Sequence, residues 1–153
     1  MRGDDAGQIG GVEALVFGVL VFVIGTLAVA NAWGVIDAKI AASAAAREAT
    51  RAFVESRSSS TAEALTEAEA AARAAVAGHG RDPSAMALLA EAASLRRCAR
   101  VTLRVEYPVP LVALPFLGRK GHGFTATGRH SEIVDPYRSG LPDTGTCPAR
   151  ARP

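Results

Sequence analysis

Few residues of this chain are placed to do chemistry. Its three histidines are His79, His122 and His130. The first two sit in Gly-His-Gly tripeptides, which read as turns, and the third lies in a segment of strand-like alternation. A metal site needs ligands at compatible spacing, such as two histidines one helical turn apart, and no such pair occurs. The two cysteines, Cys98 and Cys147, are far apart and form no Cys-x-x-Cys unit, which argues against zinc. Outside the cytoplasm they would form a disulfide pinning the C-terminal tail; inside it they would be two free thiols. There is no Gly-x-Ser-x-Gly elbow and no phosphate loop. The carboxylates fall mostly on helix faces beside arginines. The expectation is a chain that is not an enzyme, with no catalytic residue, no metal and no cofactor.

Charge gives no other partner class. The formal net charge is +2, too small to imply nucleic acid. Arg96, Arg97, Arg100 and Arg104 form the densest basic patch, without interleaved aromatic side chains. They read as a solvated face with cations near a helix C-terminus.

The element that dominates the sequence is apolar. From Ala14 to Ile36 it reads ALVFGVLVFVIGTLAVANAWGVI, without a charge. At ~1.5 Å per residue, roughly 23 residues span about 34 Å, enough to cross a hydrocarbon core of ~30 Å. The run is apolar on all sides, unlike an amphipathic surface helix. Glu13 immediately precedes it, Asp37 and Lys39 close it, and Trp33 stands near the end where an interfacial aromatic is expected. Small residues recur four apart (Gly10, Ala14 and Gly18; Ala28 and Ala32; Ala30 and Gly34), a spacing that lets helices approach closely in lipid. Ala30-Asn31-Ala32 fits a signal-peptidase site. Against that, the apolar stretch before it is long and its leader is acidic, with Asp4, Asp5 and Glu13 against Arg2. The flanking charges Lys39, Arg47 and Arg51 would by themselves hold the following domain in the cytoplasm.

Beyond the membrane the sequence predicts continued helix, one rod from about Val12 to about Val54, with Glu48, Arg51 and Glu55 at pairing distance. Ser56-Arg57-Ser58-Ser59-Ser60 ends it. A second helix starts with Ser60 and Glu63 at capping-box spacing. It carries a thin stripe of Leu65, Ala68, Ala72 and Val76, pairs Glu69 with Arg73, and stops at Gly78-His79-Gly80. Asp82-Pro83 predicts a third helix, with Met86, Leu89, Ala90 and Ala93 on one side, ending near Arg97. Arg100 to Tyr107 then alternates with period two, and Val101, Leu103, Val105 and Tyr107 share one face of a half-buried strand. Prolines make Leu111 to Leu117 a loop or edge strand, Gly118 to Gly123 reads as a turn, and Phe124 to Val134 as a second, antiparallel strand. The expected organisation is a polar leader (1–13), a transmembrane helix (14–36), an alanine-rich helical region (37–97), an antiparallel strand region (98–134) and a tail without regular structure (135–153). The fold class is a single N-terminal transmembrane helix followed by a small α+β domain.

Several stretches together resemble a family. A short polar leader and a glutamate precede a membrane helix that runs into Ala44-Ala45-Ala46-Arg47-Glu48-Ala49-Thr50-Arg51. Val101-Thr102-Leu103-Arg104-Val105 leads into Tyr107-Pro108-Val109-Pro110, then Leu114-Pro115-Phe116-Leu117-Gly118. A second strand ends in Arg129-His130-Ser131-Glu132-Ile133-Val134-Asp135-Pro136-Tyr137-Arg138. This is similar to the TadE-like proteins of the tight-adherence (Flp-type) pilus assembly system, over about Gly7 to Ser139. The resemblance implies a pilin-like long helix and a minor pilin or pseudopilin role. Its implied partners are membrane lipid and other pilin or pilus-assembly subunits, and the implied location is the cell membrane with the domain outside. It also implies trimming by a prepilin peptidase after a glycine, here Gly7 or Gly10, with a glutamate five residues past the cut. Cleavage after Gly7 puts Glu13 sixth, and cleavage after Gly10 puts it third. In this role the Glu13 carboxylate would neutralise a neighbouring subunit's new amino terminus within the apolar bundle.

Overall fold

A computed structural model of the chain describes residues 6–110, 123–141 and 147. It shows a pilin-like α+β architecture. A long helix, α1 (Ala6–Glu55), is followed by α2 (Thr61–Gly78) and by three strands, β1 (Ala87–Ala92), β2 (Arg100–Val109) and β3 (Phe124–Ile133). The sheet order is β1-β2-β3, antiparallel throughout.

The expected rod is present, and it begins within the leader, at Ala6. With 50 residues it is about 75 Å long at 1.5 Å per residue. Its two halves have different surroundings. Residues from Gly11 to Trp33 are exposed almost throughout, whereas Ala38, Ala41, Ala42, Ala45, Ala46, Ala49, Thr50 and Phe53 are wholly buried. Spaced three and four apart, these eight cover about half the helix circumference. That width is needed because the C-terminal half of α1 is the middle layer: α2 packs on it from one side, and β2 and β3 from another.

Alanine suits this position. It has the strongest helix propensity, and its small side chain lets neighbouring backbones come close. The approach is closest at Gly128 of β3, where an added Cβ would fall against the main-chain carbonyl of Ala42. From α2 come Ala64, Ala68, Ala72 and Val76, also wholly buried. Apart from Phe53 of α1, most of the larger core groups come from the sheet, where Val101, Leu103, Val105, Tyr107 and Val109 line the inward face of β2. The buried hydroxyls are satisfied: Thr50 Oγ1 donates to the Ala46 carbonyl (2.7 Å), Ser56 Oγ accepts from the Ser58 amide (3.2 Å), and Thr102 Oγ1 shares a hydrogen bond with Ser131 Oγ across the β2–β3 ladder (2.8 Å).

Two local expectations are corrected. The first is the third helix over 83–97. Asp82 does cap a turn, accepting from the Ser84 amide (2.8 Å) and hydroxyl (2.7 Å), and these bonds, the hydroxyl's foremost, hold its carboxyl below the usual carboxylate range. The turn is only the three-residue 3-10 helix Pro83–Ala85, and β1 follows. Ala-Leu-Leu-Ala-Glu-Ala fits period two as well as period 3.6, and pairing with β2 decides, setting Leu88 opposite Val105 and Ala90 opposite Leu103. The second is the capping box. Ser60 is the N-cap of α2 but makes no side-chain cap bond; the Glu63 carboxylate accepts instead from Ser58 Oγ, which also accepts from the Ser60 amide (2.8 Å).

Other expectations hold. Arg51 pairs with Glu55 (3.1 Å) and Arg73 with Glu69 (2.7 Å). His79 caps the end of α2, before Gly80 in the left-handed region (φ 70°). The expected loop or edge strand at 111–117 and most of the turn at 118–123 lie outside the described residues.

Gly128→Ala is expected to destabilise the protein by about 2 kcal/mol or more, because both groups that would have to move are main chain. Gly78→Ala, where nothing lies within 4 Å of the added Cβ, is the control and should be neutral or slightly stabilising. Denaturant unfolding of both variants in detergent checks this.

Candidate functional site

Two regions hold the residues singled out by the sequence, one at each end of α1. At the N-terminal end, Gly7, Gly10 and Glu13 all lie on α1, within about 9 Å of rise along the axis. Glu13 is exposed. After it comes a stretch long and apolar enough to cross a membrane, none of it buried in the protein. Its bulky groups point outward, Phe17, Phe22 and Trp33 among them. Its polar side chains turn back on the helix: Thr26 Oγ1 donates to the Phe22 carbonyl (2.9 Å) and Asn31 Nδ2 to the Leu27 carbonyl (2.8 Å). In lipid such internal bonds satisfy groups that have no water to turn to.

The helix meets the domain at Gly34 to Lys39. Arg81, just past α2, places Nη2 2.7 Å from Asp37 Oδ2 and 3.0 Å from the Gly34 carbonyl. Its guanidinium centre lies 5.3 Å from the ring centroid of Tyr107. The first charge after the apolar run is thereby tied to the loop after α2 and to β2. On the other side Lys39 Nζ donates to the Thr127 carbonyl of β3. Phe124, the first residue of β3, is 57% exposed although it faces α1. With Asn31, Ala32, Val35 and Ile36 it lines a shallow groove of roughly 380 Å³.

At the far end, Cys98 and Cys147 are joined by a disulfide, with Cα atoms 5.3 Å apart. Cys98 has a positive φ (64°), a conformation costly for a side chain with a Cβ. It is held by reciprocal bonding around it: Cys98 N to Val134 O (3.0 Å) and Val134 N to Ala99 O (3.0 Å). The chain after β3 is clasped here as well. Arg138 donates to the Val54 carbonyl (2.6 Å) at the open C-terminal end of α1, and Arg97 Nε donates to the Arg138 carbonyl (2.9 Å). Val134 and Leu141 are buried in the core. Within the arginine patch, Arg97 and Arg104 are thus partnered rather than simply solvated. Arg104 lies 3.4 Å from Glu91 and 3.1 Å from Glu106, and Arg129 lies 2.6 Å from Glu91, a cross-strand network on the outer face of the sheet.

His79 lies at the end of α2 and His130 on β3, where His130 Nε2 is 3.3 Å from Glu132. His122 lies outside the described residues. Among the described residues no three of His, Cys, Asp and Glu are grouped to hold a metal ion.

The sequence reading missed Gly128, Arg81, Arg138 and Phe124. An isolated glycine inside a strand is a readable sign of close backbone approach. The other three depend on which elements meet, which no local pattern carries. No protein-family model, curated protein or solved structure matches the chain.

The disulfide closes a loop of 49 residues, and by chain entropy its loss is expected to cost about 4 kcal/mol. Thermal unfolding of Cys147→Ser, compared with wild type with and without reductant, checks this: the variant and the reduced wild type should melt together, below the oxidised protein.

Proposed function

We propose that this chain is a membrane-anchored structural subunit, a minor pilin or pseudopilin of a tight-adherence pilus or a related secretion assembly, with no catalytic role. The observation that carries the reading is the division of α1. One helix is bare and apolar over its first half and is the spine of a small domain over its second. A helix with that division can pack beside copies or relatives of itself in the membrane while holding a folded head outside the bundle. Subunits packed head to tail would make an open filament rather than a closed dimer.

The disulfide supports an extracytoplasmic head, because such bonds persist in oxidising compartments. In that orientation the N-terminus starts in the cytoplasm. There a prepilin peptidase would cut after Gly7 or Gly10, and Glu13 would meet a neighbour's freed amino terminus, where an unpaired charge is costly.

The spacing of Glu13 from both glycines favours a second reading, an envelope accessory or binding module for which the helix is only an anchor. Replacing residues 14–36 with an unrelated membrane helix separates the two, since an anchor tolerates the exchange and a packing helix does not.

The expected result from isolated membranes is a new N-terminus between Gly7 and Glu13 with the apolar helix retained, read by N-terminal sequencing and intact mass. The protein should also co-purify with pilus material. An uncut chain whose deletion leaves pili unchanged would sink the pilin reading. A chain beginning at Trp33 would show that the helix is a discarded signal.

A further inference from the structure

The ladder of β2 and β3 fixes which end of the sheet lies nearest the membrane helix. Gly128 lies against Ala42, Thr127 against Lys39, and Phe124 against Asn31 to Ile36. Moving along β3 toward its start therefore moves down α1 toward its apolar half. The last described pair, Val109 with Phe124, sits beside helix turns that belong to the charge-free run. Asp37, Lys39 and Arg81 stand just above it, the first ionic groups after that run.

We propose that this end of the sheet is a second lipid-contacting surface, with Phe124 seated beside Ile36, at the level of Trp33 on the helix, at the boundary between acyl chains and headgroups. The proposal rests on α1 spanning a membrane. Three observations carry it. Phe124, Trp33 and Ile36 are all more than half exposed, at 57%, 71% and 54%, where a soluble domain would cover or replace them. The groove between Phe124 and the helix is walled by Ala32, Val35 and Ile36, so it opens onto the surface that α1 already presents to lipid. The change from apolar to charged side chains falls at the same level on the helix and on the domain, as it would at a bilayer interface. An acyl chain is the occupant that continues this surface without a break. The domain would then be held by two points, the helix and the sheet end, rather than swinging on one.

Trp33 is the sole tryptophan, which gives a direct test in the full chain reconstituted into phosphatidylcholine–phosphatidylglycerol vesicles. In Trp33→Phe/Phe124→Trp the only indole is at 124. Its emission should shift to the blue. It should lose much of its intensity when the lipids carry bromine near the headgroup end of their acyl chains, and little to aqueous acrylamide. Quenching by acrylamide and not by bromolipid would overturn the proposal. Protection from both would also overturn it, by showing that protein covers the site, either residues 111–122 or a second copy. Trp33→Phe/Tyr137→Trp places the indole at the far end of the domain and should respond to acrylamide alone; lipid quenching there would show that contact is not confined to the sheet end and overturn the proposal. Should the first variant fail to fold, Trp33→Phe/Thr125→Trp reports the same end from an exposed position. The native chain is the reference. If Trp33 itself is untouched by bromolipid, the anchoring reading has failed; if Trp33 is quenched and the indole at 124 is not, only the second contact has failed.

Discussion

Between Ala42 of α1 and Gly128 of β3 there is no room for a side chain, and the main chains of helix and strand pack directly on one another. That contact sets the distance between the middle layer and the sheet, and the other interior choices follow. A helix held so close can present only small groups at Ala38, Ala42, Ala45, Ala46 and Ala49. Because these bury little area each, at about 25 cal/mol per Å², the interior depends on many close contacts between atoms rather than on a few large side chains. The bulk that the helix lacks is supplied by Phe53 at its end and by the valines and leucine of β2.

One helix runs unbroken through an exposed apolar half and a buried alanine-rich half. In water-facing domains alanine is a strong helix former, and in lipid a helix continues because its backbone has no other way to satisfy its polar groups. Nothing at Asp37 interrupts the helix, so α1 passes from its bare apolar half to its packed half without a break. What changes at Asp37 is only the lateral partner. Below it the helix offers apolar side chains outward; from it upward, Arg81 (itself against the Tyr107 ring) and Thr127 engage it.

Much of this was legible in the sequence, and unevenly so for physical reasons. The long helix, the second helix with its Gly-His-Gly stop, and the two strands that became β2 and β3 all carry strong periodic signals. Strand β1 does not: Leu88, Leu89 and Ala90 satisfy either period, and only the free edge of β2 selects extended chain. The cysteine pair was readable as a pair, but its state depends on compartment, which residues 98 and 147 do not encode. Arg138 over the end of α1 and Phe124 beside Ile36 were not readable, since each joins segments more than eighty residues apart.

The unbroken course of α1 has a geometric consequence for any assembly built from this chain. Each helical residue turns the axis by about 100° and advances it by about 1.5 Å. With neither proline nor loop between Ile36 and Ala38, the azimuth of the head is phase-locked to the face that the lower half turns toward its neighbours. Deleting or inserting one residue there would swing the whole head by more than a quarter turn while barely changing its height. The helix thus acts as a keyed shaft, and the length of its junction is as much a specification as the identity of any side chain along it.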